Sequence, residues 1–157
     1  MSENDNTILD TTDIDILREL QKDSRLSVRQ LSARVHRSPT PVFERLRRLE
    51  NSGVIRGYTT HLDLDKIGRG FMVMCSVRLR HINTEIHVNF AEEVGKMPEV
   101  TECYNVSGAF DYMLKVQVPD MKSYRRFVTE RLGRLDMLDS VQSFFVMETI
   151  KAVPVIV

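Results

Sequence analysis

The sequence predicts an α+β protein in two parts: an N-terminal winged helix-turn-helix, and a C-terminal ferredoxin-like βαββαβ domain. Two observations carry this. Apolar residues recur every three or four positions through the first third of the chain, then every second position from Phe71 onward. The charges also segregate, with an acidic stretch at the N-terminus followed by one whose cations are all arginine. The boundaries read from the pattern are residues 1–60 for the first domain, 61–70 for a linker and 71–157 for the second.

Helix one is announced by Asp10, an N-cap whose carboxylate can accept from the free N–H groups of the first turn, with Leu9 and Ile14 placed as a hydrophobic staple. Ile14, Leu17 and Leu20 are its expected buried stripe, interrupted at Ser24 and Arg25. Helix two opens at Ser27 with Gln30 three residues on, a capping-box spacing, and has Val28, Leu31 and Val35 as its apolar face. At about ten residues it is too short to stand alone and must pack against neighbours. Helix three starts with Ser38-Pro39-Thr40-Pro41; Ser38 can cap, and the prolines fall where N–H groups would have no intrahelical partner. Val42, Leu46 and Leu49 face inward and Gly53 is placed as the stop, while Arg45 and Arg48 share an outward side with Arg47 beside it. Val54 to Thr59 reads as a strand of the winged type, leading through Asp63-Leu64-Asp65 toward Gly68-Arg69-Gly70.

Net charge is zero over 157 residues, yet residues 25–58 carry eight arginines against two glutamates. Two short helices, a tight turn and a third, arginine-rich helix are the parts of a DNA-reading helix-turn-helix. Ser38 and Thr40 are short hydrogen-bonding side chains at the exposed start of helix three, able to reach phosphates or base edges, and the arginines behind them can neutralise backbone charge. Arg29, Arg37, Ser38, Pro39, Thr40, Arg45, Arg47 and Arg48 are the candidate DNA contacts. A plain three-helix bundle with arginines for solubility is the competing reading.

In the second half, Phe71, Val73, Cys75, Val77 and Leu79 alternate along a strand, with Ser76, Arg78 and Arg80 opposite. Ile86, Phe90 and Val94 mark a helix ended by Met97-Pro98. A strand from Val100 to about Val106 is expected to put Val100, Tyr104 and Val106 on one side. Tyr112, Leu114, Val116 and Val118 alternate up to Pro119; Tyr124, Phe127, Val128, Leu132 and Leu135 give the last helix, and Val141 to Ile150 the last strand. Both helices of such a fold cover one sheet face. The other face would carry Met72, Met74, Met113 and Phe144, which a second subunit would cover.

Several function classes fall away. Apolar runs stop well short of the roughly 20 residues that cross a bilayer, and Met1 to Asn6 is polar rather than a signal peptide, so a cytoplasmic protein without membrane contact is expected. Cys75 and Cys103 lack CxxC spacing and read as small buried hydrophobes. His36, His61, His81 and His87 form no HxxxH or HExxH pair, and no nucleophile–base motif or Gly-rich phosphate loop stands out, so neither enzyme chemistry, metal nor cofactor is expected. Gly108-Ala109-Phe110-Asp111-Tyr112 lacks the leading basic residue and aromatic spacing of an RNA-binding octamer. The turn Val106-Ser107-Gly108 with Asp111 leaves two readings open. Glycine and free N–H groups could hold a carboxylate while Asp111 holds an ammonium, the two ends of an amino acid; or the segment is a hairpin turn shaped by Gly and capped by Asp.

Assembled, residues 8 to 150 resemble the leucine-responsive/asparagine-synthetase regulator family (Lrp/AsnC, the feast/famine regulators), nearest its leucine-responsive members. The resemblance rests on Leu9-Asp10 with Asp13 and Ile16-Leu17, on Leu20-Gln21-Lys22-Asp23, and on Ser38-Pro39-Thr40-Pro41 with Arg45-Leu46-Arg47-Arg48-Leu49-Glu50. It continues through Gly53-Val54-Ile55-Arg56-Gly57-Tyr58, Val106-Ser107-Gly108, Phe110-Asp111-Tyr112, Val118-Pro119-Asp120-Met121 and Val146-Met147-Glu148. It implies a transcriptional regulator with helix three in the major groove of double-stranded DNA, and a C-terminal ligand-sensing (RAM/ACT-like) domain. It further implies dimers through the sheets, commonly a ring of four dimers, an association with the nucleoid, and a free amino acid such as leucine bound between dimers. Carried over by position, Ser107, Gly108 and Asp111 are ligand-loop residues, and Met121 and Phe144 line the same interface. Asn105 departs from the aliphatic residue usual there; pointing into the pocket it would shift specificity toward a more polar amino acid. The apolar tail Ala152 to Val157 also departs. An architectural DNA-wrapping protein with no small-molecule response shares every DNA-binding feature and differs only at the Gly108 loop.

Overall fold

The computed structural model describes residues 8–152. Contacts cluster into two compact units, one reaching His61 and the other spanning Leu62–Ile150. The tail beyond Ala152 lies outside the described residues.

The first unit holds α1 (Thr11–Lys22), α2 (Val28–Arg34) and α3 (Pro39–Asn51). Asp10 caps α1 with Asp13 as its reciprocal partner, and Ser27 caps α2 with Gln30, so both short helices satisfy two orphan donors each. The core is Ile16, Leu17, Leu20, Leu31, Val35, Val42 and Leu49. Ile16 rather than Ile14 completes the stripe of α1, because the i, i+3, i+4, i+7 series begins at Asp13, which is fully buried. At seven residues α2 is shorter than its apolar pattern suggests.

Between α2 and α3 the chain turns at His36, whose φ of 52° lies in the left-handed region. Its N–H donates to the Ala33 carbonyl and the Arg37 N–H to the Ser32 carbonyl, closing a Schellman motif where glycine is the usual residue. A β-branched side chain cannot adopt that φ without strain of about 1–3 kcal/mol. His36→Val is therefore expected to lower stability by that order, whereas His36→Gly should stay within about 0.5 kcal/mol of the parent or exceed it. Thermal melts of the two variants check this, and equal stability would remove the turn-strain account.

Gly53 follows α3 at φ 74°, as the stop position requires. The strand expected over Val54–Thr59 does not form: the segment carries no ladder pairing. A wing needs a second strand to receive its backbone groups, and the first unit contributes none among the described residues. The segment is held instead by side chains, with Ile55 packed on the core and the Tyr58 hydroxyl donating to Glu50 at 2.8 Å. Partial burial and that carboxylate push the Tyr58 hydroxyl up to about 12.

The second unit is β1 (Phe71–Leu79), α4 (Thr84–Gly95), β2 (Val100–Asn105), β3 (Tyr112–Val118), α5 (Met121–Glu130), a 3-10 turn (Leu132–Arg134) and β4 (Leu138–Phe145). The strands form one antiparallel sheet in the order β2-β3-β1-β4, the ferredoxin-like arrangement. Val73, Cys75, Val77 and Leu79 of β1 join Leu114, Val116 and Val118 of β3 beneath Phe90, Tyr124 and Phe127 from the helices. β4 starts earlier and stops sooner than its apolar run predicts. Leu138 pairs with Leu79 across a register shift, and ladder pairing ends at Phe145, opposite Val73. Beyond it, Met147 and Ile150 are exposed.

β2 corrects a second expectation. Thr101 is a bulge: Val100 pairs with Val116, but Glu102 pairs with Lys115. The extra residue reverses the facing, so Tyr104 lies opposite Met113 on the open face, while Cys103 and Asn105 lie opposite Leu114 and Tyr112. Cys103 is exposed on this edge strand, not buried as its apolar neighbours suggested; Cys75 is buried. The face without helices presents Tyr104, Met113, Met72, Met74 and Phe144, and Tyr104 and Phe144 are about half exposed.

Candidate functional site

Two regions merit attention, the exposed side of α3 in the first unit and the β2–β3 turn in the second. On α3, Ser38, Pro39, Thr40, Phe43, Glu44 and Arg47 are exposed. Ser38 occupies the N-cap position but makes no side-chain capping bond, so its hydroxyl is unspent at the helix start. Arg37 lies in the preceding turn, its guanidinium donating to the His36 carbonyl at 3.1 Å, and Arg29 is exposed on α2. Arg47 stacks over the Phe43 ring, 5.5 Å from its centroid. Phe43 was missed from the sequence, although its spacing of four from Arg47 on the non-core side of the helix was a signal.

Arg45 and Arg48 behave differently. Arg45 Nη1 reaches Asp10 Oδ2 at 2.5 Å and Asp13 Oδ1 at 2.9 Å, and Arg48 Nη2 reaches Asp13 Oδ2 at 2.5 Å. The outward side expected for these arginines is thus turned onto α1, and their charge is committed to two carboxylates. The Asp13 N–H and then the Arg45 guanidinium hold the Asp10 carboxyl below its ordinary range, and Asp10, then Asp13, raise Arg45 further. A spacing signal existed: acids at 10 and 13 mirror arginines at 45 and 48, each pair on one helical face.

In the second unit, Val106 N–H donates to the Asp111 carbonyl and Asp111 N–H to the Val77 carbonyl, both at 2.9 Å, fixing the turn against β1. One Asp111 oxygen accepts from the Leu79 N–H at 2.7 Å. Arg78 clasps the Ala109 carbonyl through Nε, at 2.9 Å, and through Nη2, with its guanidinium over the Phe110 ring. Asn105 is engaged within the turn, its amide donating to the Asp111 carbonyl at 3.0 Å. Gly108 has φ 125°, a conformation that favours glycine, and open space where a Cβ would stand. The result is a hydrogen-bonded turn whose crest, Ser107 to Phe110, makes no backbone N–H bond among the described residues. Met121 and Phe144 are not beside it. Met121 begins α5 at the far end of β3, which at seven residues runs roughly 20 Å. Phe144 faces Met74 in mid-sheet.

These features coincide with sequence relationships along the chain. Residues 72–156 match the Lrp/AsnC ligand binding domain, and residues 9–56 match a winged helix-turn-helix DNA-binding family. The chain belongs to the Lrp/AsnC family. It is 43% identical over 143 residues to the leucine-responsive regulatory proteins of Klebsiella pneumoniae and Escherichia coli, covering 91% of this chain and 87% of theirs. Among solved structures, a Neisseria meningitidis transcriptional regulator in complex with L-methionine matches with a TM-score of 0.89 at 36% identity, over 93% of this chain and 94% of that one. An AsnC-family regulator of Agrobacterium tumefaciens matches with a TM-score of 0.88 at 38% identity, over 92% and 94% of the two chains. Like other Lrp/AsnC proteins, the chain is a DNA-binding transcriptional regulator with a ligand-binding domain, and not an enzyme. No helix among its described residues is long and apolar enough to cross a membrane.

Proposed function

We propose that this Lrp/AsnC regulator reads double-stranded DNA through the start and exposed side of α3. In this reading its effector is a free α-amino acid with an apolar side chain, held between subunits. The β2–β3 turn of one copy supplies the carboxylate and ammonium contacts, through the crest N–H groups and Asp111. The Met121 and Phe144 surfaces of other copies supply apolar walls. Dimers form across the open sheet face, and further dimers close a ring. Leucine and methionine are the first candidates; the Neisseria relative was solved with L-methionine.

The observation that carries this is the separation of the ligand-loop residues from Met121 by the length of β3. One chain offers half a pocket at each place, so a ligand using both must join copies and thereby report on assembly. Coupling then follows, because a ligand that binds one assembly better shifts the population toward it.

Thermal denaturation of the full chain with each of the twenty amino acids tests the reading. A ligand at about 100 times its dissociation constant adds about 2.7 kcal/mol, a shift of several degrees. Asp111→Asn keeps an acceptor for the Leu79 N–H but loses the charge, so the shift should vanish while DNA binding persists. No shift with any amino acid would replace the sensor by the architectural reading. A full shift in Asp111→Asn would remove that side chain from the site.

A further inference from the structure

At the end of the sheet remote from the β2–β3 turn lies a cavity of about 450 Å³. Its volume falls within the range of about 300–1,000 Å³ common to small-molecule pockets. The charged groups on its wall are Arg69 from the segment entering β1, Glu99 just before β2, Arg126 and Glu130 from α5 and Arg131 just after it, with Ser123 beside them. Among the described residues Arg69, which donates to the Pro98 carbonyl at 3.0 Å, forms no ion pair, and neither do Arg126 and Arg131. Glu99 is the odd member. Its Oε2 is buried and has no hydrogen-bond partner, alone in that respect among the described residues. A carboxylate oxygen sealed from bulk water calls for a donor, and the protein supplies none.

We infer that this cavity is a second ligand site, built for an amino-acid-sized zwitterion whose ammonium donates to Glu99 and whose carboxylate is received by Arg126 and Arg131. The charge pattern selects this class. A simple anion would satisfy the arginines but leave the Glu99 oxygen orphaned and repelled. A simple cation would answer Glu99 while facing three guanidinium groups. A molecule with both charges a few ångströms apart meets Glu99 and the Arg126–Arg131 pair together, and guanidinium forks suit carboxylates in particular. Occupancy would tie α5 to the segment entering β1. The site goes beyond the effector reading, because it shares no residue with Ser107–Asp111 and lies complete within one chain.

Isothermal titration of the full-length protein with the twenty amino acids, one at a time, separates the two sites. In the Asp111→Asn background at least one amino acid should still bind. Glu99→Gln and Arg126→Ala, each added to that background, should weaken the remaining binding by about tenfold or more. Acetate and ethylammonium, which carry one charge each, should bind at least about tenfold more weakly than that amino acid. Arg126 is exposed on α5, so its variant decides the matter even should Glu99→Gln fail to fold. Loss of all binding in Asp111→Asn, with the parent binding normally, overturns the second site and leaves the first intact. Binding that survives both added substitutions overturns it as well. If binding in the Asp111→Asn chain depends on Glu99 and Arg126 while the parent shows no additional site, the effector reading fails and the second site stands.

Discussion

Asp13→Ala is expected to cost the helical unit about 2–4 kcal/mol and to lower its melting temperature by roughly 15 °C. The carboxylate is fully buried and receives the Arg45 and Arg48 guanidiniums together with the Asp10 backbone N–H, so alanine removes two ion pairs and half of a capping box. The loss stays below that of a wholly buried pair, because both arginines retain partial access to water. Arg45→Ala alone leaves Asp13 paired with Arg48 and should cost less than half as much. Far-UV circular dichroism melts of both variants measure the difference. An Asp13→Ala protein as stable as its parent would mean that the cluster contributes nothing to the fold.

The double variant Arg37→Ala/Arg47→Ala should weaken binding to every DNA sequence and lower the log–log salt slope by about 1.8 per bound copy, roughly 30-fold in affinity at 0.15 M salt. Arg45→Ala/Arg48→Ala should leave the slope nearly unchanged and lower thermal stability instead, since those guanidiniums are committed to Asp10 and Asp13. The exposed Arg47, stacked on Phe43, and the exposed Arg37 have no carboxylate partner among the described residues. Fluorescence anisotropy on random and selected duplexes over a salt series measures both. A steeper loss from the second pair than from the first would invert the assignment and place the Asp13 cluster on the DNA.

The parts of the fold that apolar periodicity governs were legible in the sequence. Val73, Cys75, Val77 and Leu79, answered by Leu114, Val116 and Val118, announce a one-sided sheet, and Leu31, Val42 and Leu49 a small helical core. The failures share a cause: each depends on a partner that periodicity does not register. Asp13 occupies a core position because two arginines from α3 reach it, so an apolar count skips it and selects Ile14. Val54–Thr59 has the composition of a strand but no neighbour to pair with. The facing of Tyr104 and Cys103 turns on one unpaired residue in β2. At the β2–β3 turn, the chemistry of Gly108 and Asp111 was legible, while the Arg78 clasp and the Asn105 amide bond were not, because both span residues distant along the chain or hidden by the bulge.

That unpaired residue, Thr101, has an evolutionary consequence. Deleting it would leave Val100 opposite Val116 and Glu102 opposite Lys115 in an unbroken ladder, so Tyr104 would stay on the open face and the Asn105 amide at the Asp111 carbonyl. β2 would lose the local bend and added twist of the bulge, without a change to any residue proposed to touch ligand or neighbour. Among homologues, a one-residue gap at this position is therefore expected to change the twist of this edge strand while its facing is kept.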